Sequence, residues 1–100
     1  MSELSFNEWK NLANKLNFRN KAFINGKFTD SISGKTFDSI NPATEKIITS
    51  VAECNEKDID LAVKAARASY EKGLWSKMPP AERKAILLKL ADLIRSNLEE

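Results

Sequence analysis

Residues 58–94 have the sequence DIDLAVKAARASYEKGLWSKMPPAERKAILLKLADLI, which predicts two amphipathic helices joined by a short turn. In each helix, apolar residues recur three and four positions apart, so they share one face. The first stripe is Ile59, Ala62, Val63, Ala66 and Tyr70, and the second is Leu87, Leu90, Ala91, Ile94 and Leu98. We predict that both stripes are buried.

The first of these helices is predicted over residues 56–72. Asn55 is a favourable N-cap, and Asp58 lies at the N3 position with its charge near the positive end of the helix dipole. Gly73 ends the helix, because glycine readily adopts the left-handed conformation that follows a last helical turn.

The second helix is predicted over residues 80–99. The Pro-Pro pair at 79–80 begins it, because proline is tolerated in a first turn. We predict that the helix runs to the end of the chain, since Glu99 and Glu100 make an unfavourable terminus at the negative end of a dipole. This pattern favours an N-terminal fragment of a longer protein.

A shorter helix is predicted over residues 5–17, where Ser5 and Glu8 have the spacing of a capping box. Its apolar stripe is Trp9, Leu12, Ala13 and Leu16. Two β-hairpins are predicted between the helices, over residues 22–29 and 36–53. The first contains Asn-Gly, which supplies the positive φ angles of a type I′ turn, and the second contains Asn-Pro.

Composition excludes several classes of function. Sixteen basic and fourteen acidic residues give a net charge of +2, too balanced for a nucleic-acid or membrane partner. The chain has no histidine, which removes the commonest general base and metal ligand. It also lacks the glycine spacing of a dinucleotide or Walker loop, so no cofactor-binding residue is predicted.

Cys54 is the only cysteine, so no internal disulfide can form and a reducing, cytoplasmic location is expected. The thiol lies one residue before a predicted helix, which is a setting that can activate cysteine. However, Glu53 and Glu56 flank it and no histidine is present. We therefore predict a small, semi-buried residue at a strand end and no catalytic residue in the chain.

From Ala22 to Glu100 the chain resembles the N-terminal segment of the NAD(P)-dependent aldehyde dehydrogenase superfamily. The stretches that carry the resemblance are FINGKF, TFDSINPATEKIITSVAE and the 58–94 sequence quoted above. The opening helix with Trp9, joined through residues 17–21 to the first hairpin, is most similar to the subgroup that oxidises γ-glutamyl-γ-aminobutyraldehyde.

The resemblance implies an α/β fold in which residues 1–100 are the N-terminal part of a Rossmann-like cofactor-binding domain. It implies that the parent oxidises an aldehyde to a carboxylic acid with NAD or NADP, through a cysteine thiohemiacetal and thioester. The parent would be a homodimer or homotetramer. The family's catalytic residues correspond to positions after Glu100, so this chain alone is expected to be inactive.

One binding site carries over by resemblance. Many members of the family bind a monovalent cation, Na⁺ or K⁺, through backbone carbonyls at the positions corresponding to Ser39 and Ile40. A further acidic ligand lies slightly beyond this chain's last residue. Carbonyl oxygens suit a hard, weakly held cation.

The alternative is a small stand-alone helical module that docks on a protein partner. Such a module would be monodisperse and cooperatively folded, alone or with its partner. A fragment of a dehydrogenase would instead expose apolar surface and aggregate.

Overall fold

The computed structural model describes residues 3–98, which form three helices and two β-hairpins. The elements are α1 (Phe6–Lys15), β1 (Ala22–Ile24), β2 (Lys27–Thr29), β3 (Thr36–Ile40), β4 (Ile47–Ala52), α2 (Glu56–Lys72) and α3 (Pro80–Ser96). β1 pairs with β2 and β3 pairs with β4, both antiparallel, in two separate sheets. The predicted mixture and order of helices and hairpins is confirmed.

Local capping explains where α1 and α2 begin. The Ser5 backbone N–H donates to the Glu8 carboxylate at 2.7 Å, and the Glu8 N–H donates to the Ser5 hydroxyl at 3.3 Å. Asn55 and Asp58 form the same reciprocal arrangement at the start of α2. At the other end of α2, Gly73 has φ +68°, the left-handed conformation predicted for it.

The ends of α1 and α3 differ from the prediction. α1 stops at Lys15 because Leu16 is already extended. α3 ends at Ser96, where Asn97 donates its side-chain amide to the Leu93 carbonyl at 2.8 Å and its backbone N–H to Ile94. The prediction that α3 runs on to residue 99 is therefore wrong, because Asn97 closes the helix. Glu99 and Glu100 lie outside the described residues.

The first hairpin has the turn that its sequence predicts. Asn25 and Gly26 have φ of +53° and +76°, as the two loop positions of a type I′ turn require. Each strand has three residues, and Phe23 lies opposite Phe28 with ring centroids 5.0 Å apart. The hairpin is therefore held by few cross-strand pairs.

The described residues contain no buried hydrophobic side chain. The accessible surface of the chain is 8934 Å². A compact monomer of this mass would expose only about 5,700 Å². The radius of gyration is 18.4 Å, where a compact domain of this length has about 13 Å, and the molecule is only 16 Å thick. Residues 3–98 therefore form a thin layer of secondary structure without a hydrophobic core.

The two apolar stripes are exposed within this chain, as expected for a fragment whose stripes pack on a surface outside it. Ile59, Val63 and Tyr70 of α2 are about three-fifths exposed, and Leu87 and Ile94 of α3 are exposed to a similar degree. The physical reason is that the chain supplies no surface to cover them. Only β1 makes a close contact with α2, and α1 and α3 have no contact of that extent among the described residues.

α2 nevertheless has a second, small-residue face. The groove between α2 and the first hairpin is bordered by Ala62, Ala65 and Ser69 on the helix and by Phe23 and Ile24 on the strand. Small side chains allow the close approach of helix and hairpin seen there. The hairpin lies beside the small residues, including Ala62 of the stripe, and the larger stripe residues Ile59, Val63 and Tyr70 remain exposed.

Candidate functional site

The predicted cation site lies where β3 meets its turn. Ser39 pairs with Thr49, but Ile40 pairs with Ile47, so Ile48 has no partner across the hairpin. An extra residue of this kind is a β-bulge, which interrupts the ladder and bends the strand. The backbone around Ser39 and Ile40 therefore departs from regular pairing at the position where the resemblance places carbonyl ligands.

Asn41 fixes the turn that follows. Its backbone N–H donates to the Lys46 carbonyl at 2.9 Å, and its own carbonyl accepts from the Glu45 N–H at 2.8 Å. Its side-chain oxygen accepts from the Ala43 N–H at 2.9 Å. Three hydrogen bonds to one residue determine the path of the chain directly after Ile40, which explains the presence of asparagine before proline.

The neighbouring side chains offer little to a metal. The Asp38 carboxylate accepts a hydrogen bond from the Ser50 hydroxyl at 2.6 Å. Within residues 3–98, no group of three or more Cys, Asp or Glu side chains has the arrangement of a metal site. What this hairpin can contribute is therefore backbone oxygen, and the Ser39–Ile40 site remains a prediction.

Asp58 forms a buried polar junction. Its carboxylate is 2% exposed and accepts two backbone hydrogen bonds, from Ile32 and from Asn55, both at 2.9 Å. The neighbouring Ser31 is also buried and donates its hydroxyl to the Lys35 carbonyl at 2.8 Å. The junction thus ties the loop after the first hairpin to the start of α2.

The loop is also tied to the end of β4. The Lys35 carbonyl accepts a second hydrogen bond, from the Glu53 backbone N–H at 2.9 Å. Sequence reasoning identified Asp58 as part of a helix cap but missed its bond to Ile32. These two residues are 26 positions apart, and no local spacing rule connects them.

Cys54 lies between β4 and the α2 cap, with an exposed thiol. It is therefore more accessible than the semi-buried residue that was predicted. Its position after the end of β4 agrees with the sequence analysis.

A groove of about 620 Å³ separates the first hairpin from α2. Its charged lining is Lys27, Lys64, Lys72, Asp30 and Asp58. Because both oxygens of Asp58 already accept backbone N–H groups, Asp30 is left as a single carboxylate among lysines, which does not make a catalytic site. No helix in the described part of the chain is long and apolar enough to cross a membrane.

Comparison with known proteins assigns the class. Residues 28–100 match the aldehyde dehydrogenase family, and the chain belongs to that family. Over 91 residues it is 53% identical to aldehyde dehydrogenase 1 of Tanacetum cinerariifolium, a match that covers 91% of this chain and 18% of the relative.

Two solved structures have the same arrangement of elements. The γ-glutamyl-γ-aminobutyraldehyde dehydrogenase of Burkholderia cenocepacia matches with a TM-score of 0.89 and 38% identity, over 95% of this chain and 19% of that one. The indole-3-acetaldehyde dehydrogenase of P. syringae, solved with NAD⁺ and IAA, matches with a TM-score of 0.88 and 37% identity, over the same shares. The chain therefore spans about a fifth of the length of these relatives.

Proposed function

We propose that this chain is the N-terminal segment of an NAD(P)-dependent aldehyde dehydrogenase and forms an outer layer of its cofactor-binding domain. The observation that carries the proposal is a family match over 73 of 100 residues (28–100) in a chain with no core of its own. Membership of the family supports the reaction proposed below. The lack of buried hydrophobic side chains in residues 3–98 indicates that the segment packs against the rest of a larger protein.

α3 gives the strongest support for a larger body. Besides its predicted stripe, Ile86, Leu88 and Leu93 are also exposed, so apolar residues occupy most of the helix circumference. A helix that is apolar on most sides is stable in water only when it is buried within a larger protein. We infer that the cofactor-binding domain covers α3.

The proposed reaction converts an aldehyde, NAD(P)⁺ and water to a carboxylic acid, NAD(P)H and a proton. A cysteine nucleophile would divide this oxidation into thiohemiacetal and thioester stages, and the nicotinamide would supply the hydride-accepting chemistry. Cys54 is exposed, Glu53 and Glu56 flank it, and the segment has no histidine to activate it, so the nucleophile is assigned to another part of the enzyme. The residues of this chain have a structural role, because they form a layer that supports the cofactor-binding domain.

The cofactor and the substrate class are supported by the relatives. The P. syringae enzyme was solved with NAD⁺, which supports NAD as the cofactor, with NADP as the alternative. The likeness to the B. cenocepacia enzyme supports an aminoaldehyde-derived substrate. We also propose that the protein is a homodimer or homotetramer and that it is cytoplasmic.

The cation site is part of the same proposal. The carbonyls of Ser39 and Ile40 would bind Na⁺ or K⁺, with an acidic ligand contributed by a residue outside this segment. The β-bulge at these residues and the turn fixed by Asn41 support it.

The test is NAD(P)H formation by the full-length protein with a panel of aldehydes that includes aminoaldehyde derivatives. We expect turnover by the full-length enzyme and none by the isolated 100-residue chain. The variant Cys54→Ser should keep the activity of the wild type. Turnover by the isolated chain, or loss of activity in Cys54→Ser without loss of folding, would contradict the proposed division of roles.

A further inference from the structure

The turn of the first hairpin combines an unusual sequence with an open geometry. Asn25 is the only one of the nine asparagines in the chain that precedes glycine. Asn25 is exposed, and a Cβ placed on Gly26 would have no atom within 4 Å. Among the described residues, the side of the turn on which a Gly26 side chain would lie is therefore open.

An asparagine followed by glycine has a reaction available to it without an enzyme. The backbone nitrogen of Gly26 can attack Cγ of Asn25, forming an N–Cγ bond and releasing the side-chain nitrogen as ammonia. The product is a five-membered succinimide ring. Water then opens the ring at one of its two carbonyls and leaves either aspartate or isoaspartate. No oxidant is consumed, and glycine favours the attack because it has no Cβ to obstruct its nitrogen.

We propose that Asn25 is a site of spontaneous deamidation whose rate is set by opening of the first hairpin. In the closed type I′ turn, both loop residues are held at positive φ, and the pairs Ile24–Lys27 and Phe23–Phe28 restrict rotation about the Asn25 backbone. The ring can form only after that backbone rotates.

Opening this two-stranded hairpin should cost less free energy than opening a sheet of more strands. Each strand has three residues, the sheet has two strands, and α2 is its only close neighbour among the described elements. Two-stranded hairpins are marginally stable in water, and such regions open locally at low free energy.

The isoaspartate product would not restore the original hairpin. Its main chain includes the former side-chain Cβ, so the loop between Ile24 and Lys27 is longer by one carbon. A two-residue turn with fixed φ angles cannot accommodate that extra atom. The register of Phe23 with Phe28 would be lost, and with it the contact of β1 with α2. Deamidation therefore acts as an irreversible change in the outer layer of the protein.

The test is peptide mapping of the full-length protein after incubation in mildly alkaline buffer. Trypsin releases Ala22–Lys27 as one peptide, in which deamidation replaces an amide NH₂ by a hydroxyl. We expect this peptide to be converted faster than any peptide carrying one of the other eight asparagines, with isoaspartate as the larger product. Conversion at Asn25 no faster than at the others would overturn the proposal.

Two comparisons test the role of the hairpin. The free peptide Ala22–Thr29 should deamidate faster than the same residues in the protein, whereas equal rates would show that the hairpin does not control the reaction.

The variant Asn25→Gly keeps a sequence suited to a type I′ turn and has no side-chain amide. It should retain slow hydrogen exchange at the Thr29 amide, which pairs with Ala22 across the hairpin, through the incubation, while the wild type loses that protection. Equal loss in both proteins would contradict the proposed consequence.

Discussion

The side chain of Asp58 connects the loop after the first hairpin to the start of α2. One carboxylate oxygen accepts the Ile32 N–H and the other accepts the Asn55 N–H, and the group is almost fully buried. Two acceptors facing two donors leave neither donor unpaired. An amide in the same place offers one acceptor and brings two donors of its own.

We predict that Asp58→Asn leaves one of these part-buried N–H groups without an acceptor. Leaving such a group unsatisfied costs about 1–3 kcal/mol, so the amide proton of Ile32 should exchange about 5- to 150-fold faster in the full-length protein. Hydrogen–deuterium exchange measures this directly. Asp60→Asn, an exposed position in the same helix, is the control and should leave the exchange of Ile32 unchanged. Equal effects of the two variants would contradict the role of Asp58.

Gly73 is constrained by its neighbours as well as by its backbone. Its φ is +68°, and a Cβ added there would lie 2.9 Å from Cβ of Lys77 and closer still to atoms further along that side chain. Gly34 has a similar φ of +73° but would meet nothing within 4 Å. Alanine substitutions at the two glycines therefore separate two free-energy costs, that of placing alanine in the left-handed conformation and that of a steric clash with Lys77.

We predict that Gly73→Ala destabilises the full-length protein more than Gly34→Ala. Both variants force alanine into the left-handed region, which costs roughly 1–2 kcal/mol. Only Gly73→Ala must also displace Lys77, so its denaturant midpoint should be the lower of the two. Identical midpoints would mean that the side chain of Lys77 moves aside without cost.

At the scale of elements, α1 depends on its own cap because no other described element packs closely on it. The hydrogen bond from the Ser5 backbone N–H, and then that with the Ser5 hydroxyl, lowers the pKa of Glu8 below its ordinary value. A carboxyl whose pKa is lowered by folding stabilises the helix above its unfolded pKa. That stabilisation is lost as the pH falls through the lowered, folded pKa.

We therefore predict that a peptide of residues 3–18 loses helix content as the pH falls through the acidic range in which Glu8 is protonated. Circular dichroism measures the loss. Glu8→Gln should remove most of this pH dependence, and Glu3→Gln, which alters the other acidic residue of the peptide, should retain it. A pH dependence that follows Glu3 would contradict the assignment to the capping box.

The elements that could be predicted from the sequence are those determined by residues close together in the chain. Ser5 with Glu8, Asn55 with Asp58, and the Asn-Gly turn act over four residues or fewer, and the structure has all three. The end of α3 was also visible in principle, since Asn97 is an ordinary C-terminal residue of a helix. Glu99 and Glu100 are unfavourable at the negative end of a helix dipole, but they do not mark the residue at which the helix ends.

The remaining features depend on groups that are distant or absent. The bond from Ile32 to Asp58 spans 26 residues and follows only from the path of the chain. The stripes of α2 and α3 were correctly identified as apolar, but what covers them is not part of the segment. Ser39 and Ile40 were selected by resemblance alone, because a site made of backbone carbonyls leaves no pattern of side chains.

At the scale of the whole molecule, the thin shape and the exposed stripes have one explanation. A layer 16 Å thick can bury one face of each helix only against another layer. α2 gives its small-residue face to the first hairpin and leaves its larger residues for a second surface. We assign that surface to the remainder of the dehydrogenase, which accounts for four-fifths of the length of the relatives.

A charge placed on an uncovered stripe therefore tests this explanation. Ile94 is 60% exposed in the chain, so Ile94→Lys should leave the helix content of the isolated segment unchanged and reduce its binding of a hydrophobic dye. In the full-length enzyme the same variant should lower stability by several kcal/mol, because it buries an unpaired ammonium group.

Lys89→Gln, on the opposite side of α3, should be neutral in the segment and in the enzyme alike. The isolated wild-type segment should bind the dye and unfold without a sharp transition, because it has no hydrophobic core that would make its unfolding cooperative. A monodisperse segment that unfolds cooperatively, together with a full-length enzyme indifferent to Ile94→Lys, would instead favour an independent interaction module whose stripes remain free for a partner.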